Sequence, residues 1–223
     1  MRICLTTANL ASIDGTTKKI PQQYLPESWI LDVFQYDDNN FPPRMNALSP
    51  RLQAKIPRML GYELHPGYDC YVWIDGSIIL KDQNTIKYLV EGLGSNEMFL
   101  FRHPKRNSIT EESRYVTDQI SAGNEYLKKR YGNEPLLEEI GLYLSDKSFI
   151  DNKLFAAGCF VYNKSIIKKA FLSDWFYHNC RYSILDQLSL PYLLHKHTIS
   201  YSCSELDIRK NMYFEVNGHA QLI

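Results

Sequence analysis

Asp75, Gly76 and Ser77 interrupt an apolar run in YVWIDGSIIL, residues 71–80. Asp-Gly signals a hairpin when alternating residues flank it. Here 71–74 and 78–80 are continuous apolar runs, the pattern of elements buried on both faces. An ionised Asp ending a buried strand needs a partner, because an unpaired buried charge is costly. A divalent cation bridging to phosphate oxygens is one such partner. Asp75 and Ser77 would offer it a carboxylate and one further oxygen. The residues alone leave metal site and hairpin turn both open.

Two other stretches carry charge at useful spacings. In PRLQAKIPRML, residues 50–60, Arg51, Lys55 and Arg58 stand at i, i+4 and i+7, on one helix face. Three cations there could bind a diphosphate; a solvated basic face is the plainer reading. In SILDQLSLPYLLHKH, residues 183–197, Asp186-Gln187 could bring a carboxylate and an amide to a reacting sugar from a helix N-terminus. Ser183 with Asp186 also resembles a capping box with Asp in place of Glu. His195 or His197 could be a third metal ligand, although a lone His is more often structural.

Weaker signals lie elsewhere. LTTAN, residues 5–9, puts Thr6, Thr7 and Ala8 at the end of a first strand, where ligands bind in open α/β sheets. An ordinary strand end reads the same way. FRHPKRNSITEE, residues 101–112, places Arg102, His103, Lys105 and Arg106 before two glutamates. It suits an acceptor contact, or a polar loop entering a helix with an acidic first turn. In FAAGCFVYN, residues 155–163, Ala156, Ala157 and Gly158 leave room for a sugar or base, or for a neighbouring helix. Neither GxGxxG nor GxxxxGK[ST] occurs, so a dinucleotide fold and a P-loop are unsupported.

The elements that would position these residues alternate along the chain. Strands are expected at 3–8, 30–35, 70–74, 98–102, 155–162 and 198–202. Helices are expected from Ser49-Pro50 to Gly61, kinked or shortened by Pro57, and at 83–93, 110–131, 165–177 and 183–194. This order argues an α/β fold with a mainly parallel or mixed sheet. Two long loops, 9–28 with Asp14-Gly15 and 37–48, are places where function often sits.

The 223 residues fit one large domain or two small ones, and 44% hydrophobic residues can bury a sizeable core. Lys+Arg and Asp+Glu each number 25, so no global field argues for nucleic acid or an anionic membrane. The five cysteines, with no CxxC pair, speak against a zinc site or disulfide framework. No stretch approaches the length of a membrane span, and the N-terminal apolar run is too short for a signal peptide. A soluble, cytoplasmic protein is the expectation.

YVWIDGSIIL, FRHPKR, AAGCFVYN and DQLSLPYLL, in that order, resemble a family of GT-A-like glycosyltransferases. The family includes chlorella-virus enzymes that glycosylate capsid protein, with bacterial and plant relatives long described as a domain of unknown function. The resemblance runs from residue 3 to about 197. It implies a single GT-A-like (Rossmann-like) domain over 1–223: a central mixed, mainly parallel sheet flanked by helices, with a donor-nucleotide half over about 1–100 and an acceptor half over about 101–223.

The resemblance also implies a nucleotide-sugar donor, such as a UDP-sugar, with Mn²⁺ or Mg²⁺ as cofactor, and a carbohydrate or glycoprotein acceptor. Its DXD-type motif falls on Asp75, Gly76 and Ser77, with Ser77 where a second acid is usual. The ion would then lean on Asp75, Ser77, diphosphate, water and a histidine such as His197. The nucleotide would lie near Thr6, Thr7 and Ala8, and the diphosphate near Arg51 and Lys55. His103, Gly158 and Gln187 would face acceptor or sugar. Asp186 would be the catalytic carboxylate of a hexosyl transfer, for which a retaining course is expected. The rival readings are a nucleotidyltransferase, which lacks its usual Gly-rich signature here, and a non-catalytic glycan-binding module, which Ser77 keeps open.

Overall fold

The continuous apolar run at 70–74 shows how the sheet is built. Tyr71 and Trp73 join one apolar cluster with Cys4, Phe160 and Trp175; Cys70, Val72 and Ile74 join another with Ile3, Leu5 and Leu89. All five strand residues are buried. Side chains alternate across a strand, so with both faces covered no polar alternation remains.

The computed structural model describes residues 1–15, 18–44 and 46–216. Its strands are β1 (Arg2–Ala8), β2 (Ile30–Tyr36), β3 (Cys70–Ile74), β4 (Ile78–Leu80), β5 (Met98–Arg102), β6 (Phe155–Asn163), β7 (Tyr201–Ser204) and β8 (Phe214–Val216). Six form one sheet in the order β2-β1-β3-β6-β5-β7. Every pairing in it is parallel except those of β6, which runs antiparallel to both neighbours. The expected mixed, mainly parallel sheet flanked by helices is therefore the fold. The run at 78–80 belongs elsewhere: among the described residues β4 pairs only with β8, antiparallel, in a second small sheet. Asp75-Gly76 thus joins two sheets and makes no hairpin, although Ile78 N does donate to Asp75 O at 2.9 Å, closing a tight turn.

The helices are α1 (Pro50–Gln53), α2 (Lys55–Met59), α3 (Gly61–Leu64), α4 (Thr85–Leu93), α5 (Ile109–Ser121), α6 (Glu125–Tyr131), α7 (Leu136–Ser145), α8 (Phe171–Arg181) and α9 (Asp186–Lys196). Ser49 caps α1 as expected, accepting from Leu52 N at 3.2 Å. The single helix expected from there breaks into three. Pro57 has no N–H to give the carbonyl of Gln53, which ends α1. Gly61 starts a helical turn instead of ending one. The helix expected at 110–131 divides where Gly123 takes φ +88° and Asn124 caps α6. The one expected at 165–177 divides at Ala170, φ 55°. Helix α7 went unforeseen, and the last large-sheet strand lies at Tyr201–Ser204 instead of 198–202.

A third cluster, including Ile109, Val116, Leu127, Tyr143 and Leu188, packs α5, α6, α7 and α9 together. This helical layer borders the site through Val116, Leu127 and Tyr131. Cys4, Cys70 and Cys159 are free and buried, as small core residues. Among the described residues no helix is long and apolar enough to cross a membrane.

Candidate functional site

Strands β1 and β3 are parallel, with Thr6 beside Trp73, so their carboxyl ends reach the same edge of the sheet. A cleft of about 230 Å³ opens there. It brings together Ala8, Arg51, Lys55, Asp75, Gly76, Ser77, His103, Gly158, Asp186 and Gln187, residues separated by up to 179 positions along the chain.

Asp75 is held from three directions. Its N–H donates to Gly158 O at 2.8 Å. Its Oδ1 accepts from Trp73 Nε1 at 2.7 Å and from Arg58 Nη1 at 3.1 Å. The small-residue centre of β6 makes this possible. While β5 advances from Phe99 to Phe101, β6 runs from Val161 to Ala156, so extra β6 residues bulge out. The bulge turns Ala157 O to Arg58 Nη2, in a close hydrogen bond, and Gly158 O to Asp75. A Cβ on Gly158 would stand 3.2 Å from Asp75 Oδ2.

Asp186 is the second anchored carboxylate. It is the first residue of α9, and no side chain caps that helix. The capping box expected from Ser183 does not form, because Ser183 Oγ instead accepts from Leu185 N at 3.2 Å. Asp186 pairs with Lys55 in a close contact and with Arg58 Nη2 at 2.8 Å. Lys55 and Arg58 are each 7% exposed, so this is no solvated basic face. Burial alone would raise the Asp186 carboxyl, but Arg58 and then Lys55 outweigh it and hold it below its ordinary value. Burial pulls the Lys55 ammonium down to about 8, against the attraction of Asp186.

A third carboxylate, Asp14, arrives from the loop after β1. Asn9 folds that loop back: its Oδ1 accepts from Asp14 N at 3.0 Å and its Nδ2 donates to Gly15 O at 2.7 Å. Ala11 and Ser12 adopt φ of 54° and 49°, left-handed conformations that cost energy in residues other than glycine. A Cβ on Gly76 would meet Ala8 O at 2.8 Å and Asp14 Oδ2 at 3.1 Å. Only glycine lets these backbones close. Burial, and next the charge of Asp75, push Asp14 up to about 6, offset in part by Arg130, Arg51 and Lys18.

Four expected site residues stand elsewhere. Thr6 Oγ1 donates to Pro57 O at 3.2 Å inside the core, where it locks α2 onto β1 and meets no ligand space. Thr7 points to the opposite face, into a small hollow behind Gly76. His197 Nε2 lies 2.8 Å from Asp174 Oδ2, at the far end of α9 from Asp186. At about 1.5 Å of rise per residue, roughly 16 Å of helix separates them, so His197 cannot share an ion with Asp75. His195 is likewise distant, 3.0 Å from Ser148 Oγ.

His103 lines the cleft, with its Nδ1 accepting from Arg106 N at 3.0 Å. Burial, followed by Arg106, pushes its imidazole down to about 4, so it is neutral at pH 7. The reading from sequence passed over Asp14, Arg58 as the central clamp, and Arg130. Arg58 was signalled by its spacing from Arg51 and Lys55. Asp14 and Arg130 were signalled by nothing beyond a turn and a basic last helical turn.

Among the described residues no group of three or more His, Cys, Asp or Glu stands ready to hold a metal ion. The donor set nearest to one is Asp14 and Asp75 with the buried hydroxyl-bearing Ser77. Hard oxygen donors of this kind suit Mg²⁺ or Mn²⁺ when phosphate and water complete the shell.

Residues 45–220, well over half of the chain, match the family described as TOD1/MUCI70, glycosyltransferase-like domain. The chain belongs to this family. The TOD1/MUCI70 match begins just before α1 and takes in Asp75 and Asp186, while β1 and Asp14 precede it. No curated protein matches the sequence. Solved structures of similar outline include WbbM, a bifunctional glycosyltransferase in apo form, at 18% identity and TM-score 0.43 over 80% of this chain. The chain spans 29% of the WbbM chain. Mouse xyloside xylosyltransferase 1, apo form, aligns at 11% identity and TM-score 0.47 over 93% of this chain and 86% of its own. A glycosyltransferase involved in glycosylation of the major capsid of PBCV-1 aligns at 8% identity and TM-score 0.41, over 91% and 81%.

Proposed function

We propose that this glycosyltransferase-like domain transfers a hexosyl group from a nucleotide-sugar, a UDP-sugar by preference, to a carbohydrate or glycoprotein acceptor. The observation that carries the reading is the pairing of Asp75 and Asp186 through Arg58 at the carboxyl ends of the strands. That edge is where open α/β sheets bind nucleotides. Ala8 and Gly76 line the cleft at these strand ends.

In this reading Asp75, Asp14 and Ser77 hold a divalent cation. When bound, it neutralises charge on the donor diphosphate. Arg51 faces the same diphosphate, while Lys55 stays paired with Asp186. The donor C1–O bond breaks with its electron pair passing to a phosphate oxygen, the acceptor oxygen bonds to C1, and the acceptor proton passes to the leaving diphosphate. Asp186, doubly paired and held below its ordinary pKa, is a poor base near pH 7. It serves as a fixed negative charge toward the cationic sugar, which favours a retaining course. Gly158, Gln187 and neutral His103 border the sugar and acceptor side.

The test is release of nucleoside diphosphate from UDP-, GDP- and dTDP-sugars, with and without Mn²⁺. Diphosphate release that Mn²⁺ raises and Asp75→Asn removes supports the reading. Pyrophosphate release would mean nucleotidyl transfer. Glycan binding without nucleotide turnover would mean a binding module.

A further inference from the structure

The charges of the cleft do not balance. Arg51, Lys55, Arg58, Lys105, Arg130 and Arg209 face Asp14, Asp75, Glu112 and Asp186, six positive groups against four negative, and Glu112 is already paired with Arg106. Lys55 and Arg58 are committed to Asp75 and Asp186. Arg209, also at the cleft, pairs with Asp207 at 2.6 Å. Arg51 and Arg130 have no ion pair among the described residues, and arginine cannot shed its charge.

Arg130 is also held in place. Its neighbours Lys128 and Lys129 are exposed, whereas Arg130 turns inward from α6. Its Nη1 donates to Tyr126 Oη at 2.6 Å. Its guanidinium carbon lies 5.1 Å from the Tyr131 ring centroid and 5.9 Å from that of Tyr126. Its Nε is buried and has no hydrogen-bond partner. A buried donor without an acceptor is costly, and more so in a charged group. Arg51 reaches the same cleft from α1: both charges act on Asp14 and on the buried phenol of Tyr131. Two guanidinium groups that line one cleft from separate helices, neither in an ion pair among the described residues, favour an anion between them. A cation taken up by Asp14 and Asp75 would only enlarge the positive excess.

We infer that Arg130 and Arg51 form a clamp for the diphosphate of the donor, their N–H groups meeting phosphate oxygens from two separate helices. Arg130 thereby joins α6 to donor binding. The inference rests on the nucleotide-sugar reading for the identity of the ligand, but not for the existence of the anion site.

Calorimetric titration with UDP, inorganic pyrophosphate and glucuronate, each in EDTA and in Mn²⁺, tests it. The variants are Arg130→Gln, Arg130→Lys, Arg51→Gln and, as a control, Lys128→Ala on the exposed side of α6. Thermal midpoints report whether each variant is folded. Arg51→Gln removes no internal partner and keeps the test open should Arg130→Gln unfold.

The expected result is at least tenfold weaker binding of UDP and pyrophosphate in Arg130→Gln and Arg51→Gln, in EDTA as well as Mn²⁺. Arg130→Lys should recover part of the loss, and Lys128→Ala should bind as the wild type. Wild-type affinity for pyrophosphate in both glutamine variants overturns the clamp, as does a wild type that binds neither pyrophosphate nor UDP. Arginine-dependent binding of glucuronate without pyrophosphate overturns the diphosphate assignment. Arginine-dependent pyrophosphate binding without any for UDP upholds the clamp and removes the nucleotide-sugar reading instead.

Discussion

Arg58 stands 3.1 Å from Asp75, and the same guanidinium that makes this contact also grips Asp186, 111 residues further along the chain. One buried side chain therefore aligns a carboxylate from the end of β3 with one from the start of α9. Removing one partner of a buried charge cluster leaves the others uncompensated, at a cost of about 3–5 kcal/mol. Arg58→Met should lower the unfolding free energy by roughly that amount, read from urea unfolding curves. An unchanged midpoint would show that the cluster contributes nothing net.

Asp75 itself is a different case, since its side chain is 34% exposed and faces the cleft. Asp75→Asn keeps an oxygen for Trp73 Nε1 and should fold normally. Loss of one preorganised electrostatic group typically costs about 10²–10³-fold in turnover. Nucleoside diphosphate release should fall by that factor, with the thermal midpoint unchanged.

Glycine is required at position 76 and dispensable at 141. A Cβ on Gly76 would press on Ala8 O and Asp14 Oδ2, whereas one on Gly141, exposed within α7, meets nothing within 4 Å. Gly76→Ala should destabilise by about 1–3 kcal/mol and weaken nucleotide binding. Gly141→Ala should stabilise by roughly 0.5–1 kcal/mol, the helix preference for Ala over Gly. Thermal melts of the pair check both signs together.

Stability should also depend on pH through Glu139. This residue is fully buried; Tyr143 Oη donates to its Oε1 at 2.9 Å, and its Oε2 has no partner. Burial pushes its carboxyl up to about 8, more than the neighbouring hydroxyls of Ser183 and Tyr143 bring it down. The folded protein then holds a proton that the unfolded chain releases near 4.5. Its contribution is complete below about 4.5 and is lost as pH rises toward 8. Glu139→Gln, neutral at every pH, should flatten this part of the curve. Equal losses of stability in both proteins between pH 5 and 8.5 would dismiss Glu139 as the source.

How much of this could be read along the chain differs from element to element. The strands at 70–74 and 98–102 coincide with β3 and β5, because buried strands show as short unbroken apolar runs. The cation spacing at 51, 55 and 58 correctly placed three positive groups on one side, and all three reach the cleft although the helix breaks between them. Helix ends fared worse. Pro57, Gly123 and Ala170 each break a run that its periodicity would have carried through, because local backbone limits override the hydrophobic pattern there.

Local order along the chain was enough to name Asp75, Lys55 and Asp186 as charged groups beside buried elements, since an unpaired charge in such a place needs a partner. Which partners they find depended on the three-dimensional crossing of the chain. Lys55 meets Asp186 across 131 positions. Asp14 reaches Gly76 because Asn9 folds its loop back, and His197 is carried away because the length of α9 separates it from Asp186. Ser77 left a second carboxylate missing in the linear motif. The fold brings Asp14 to the place beside Asp75, because contacts between distant segments are set by how sheet and helices pack and not by neighbours in sequence.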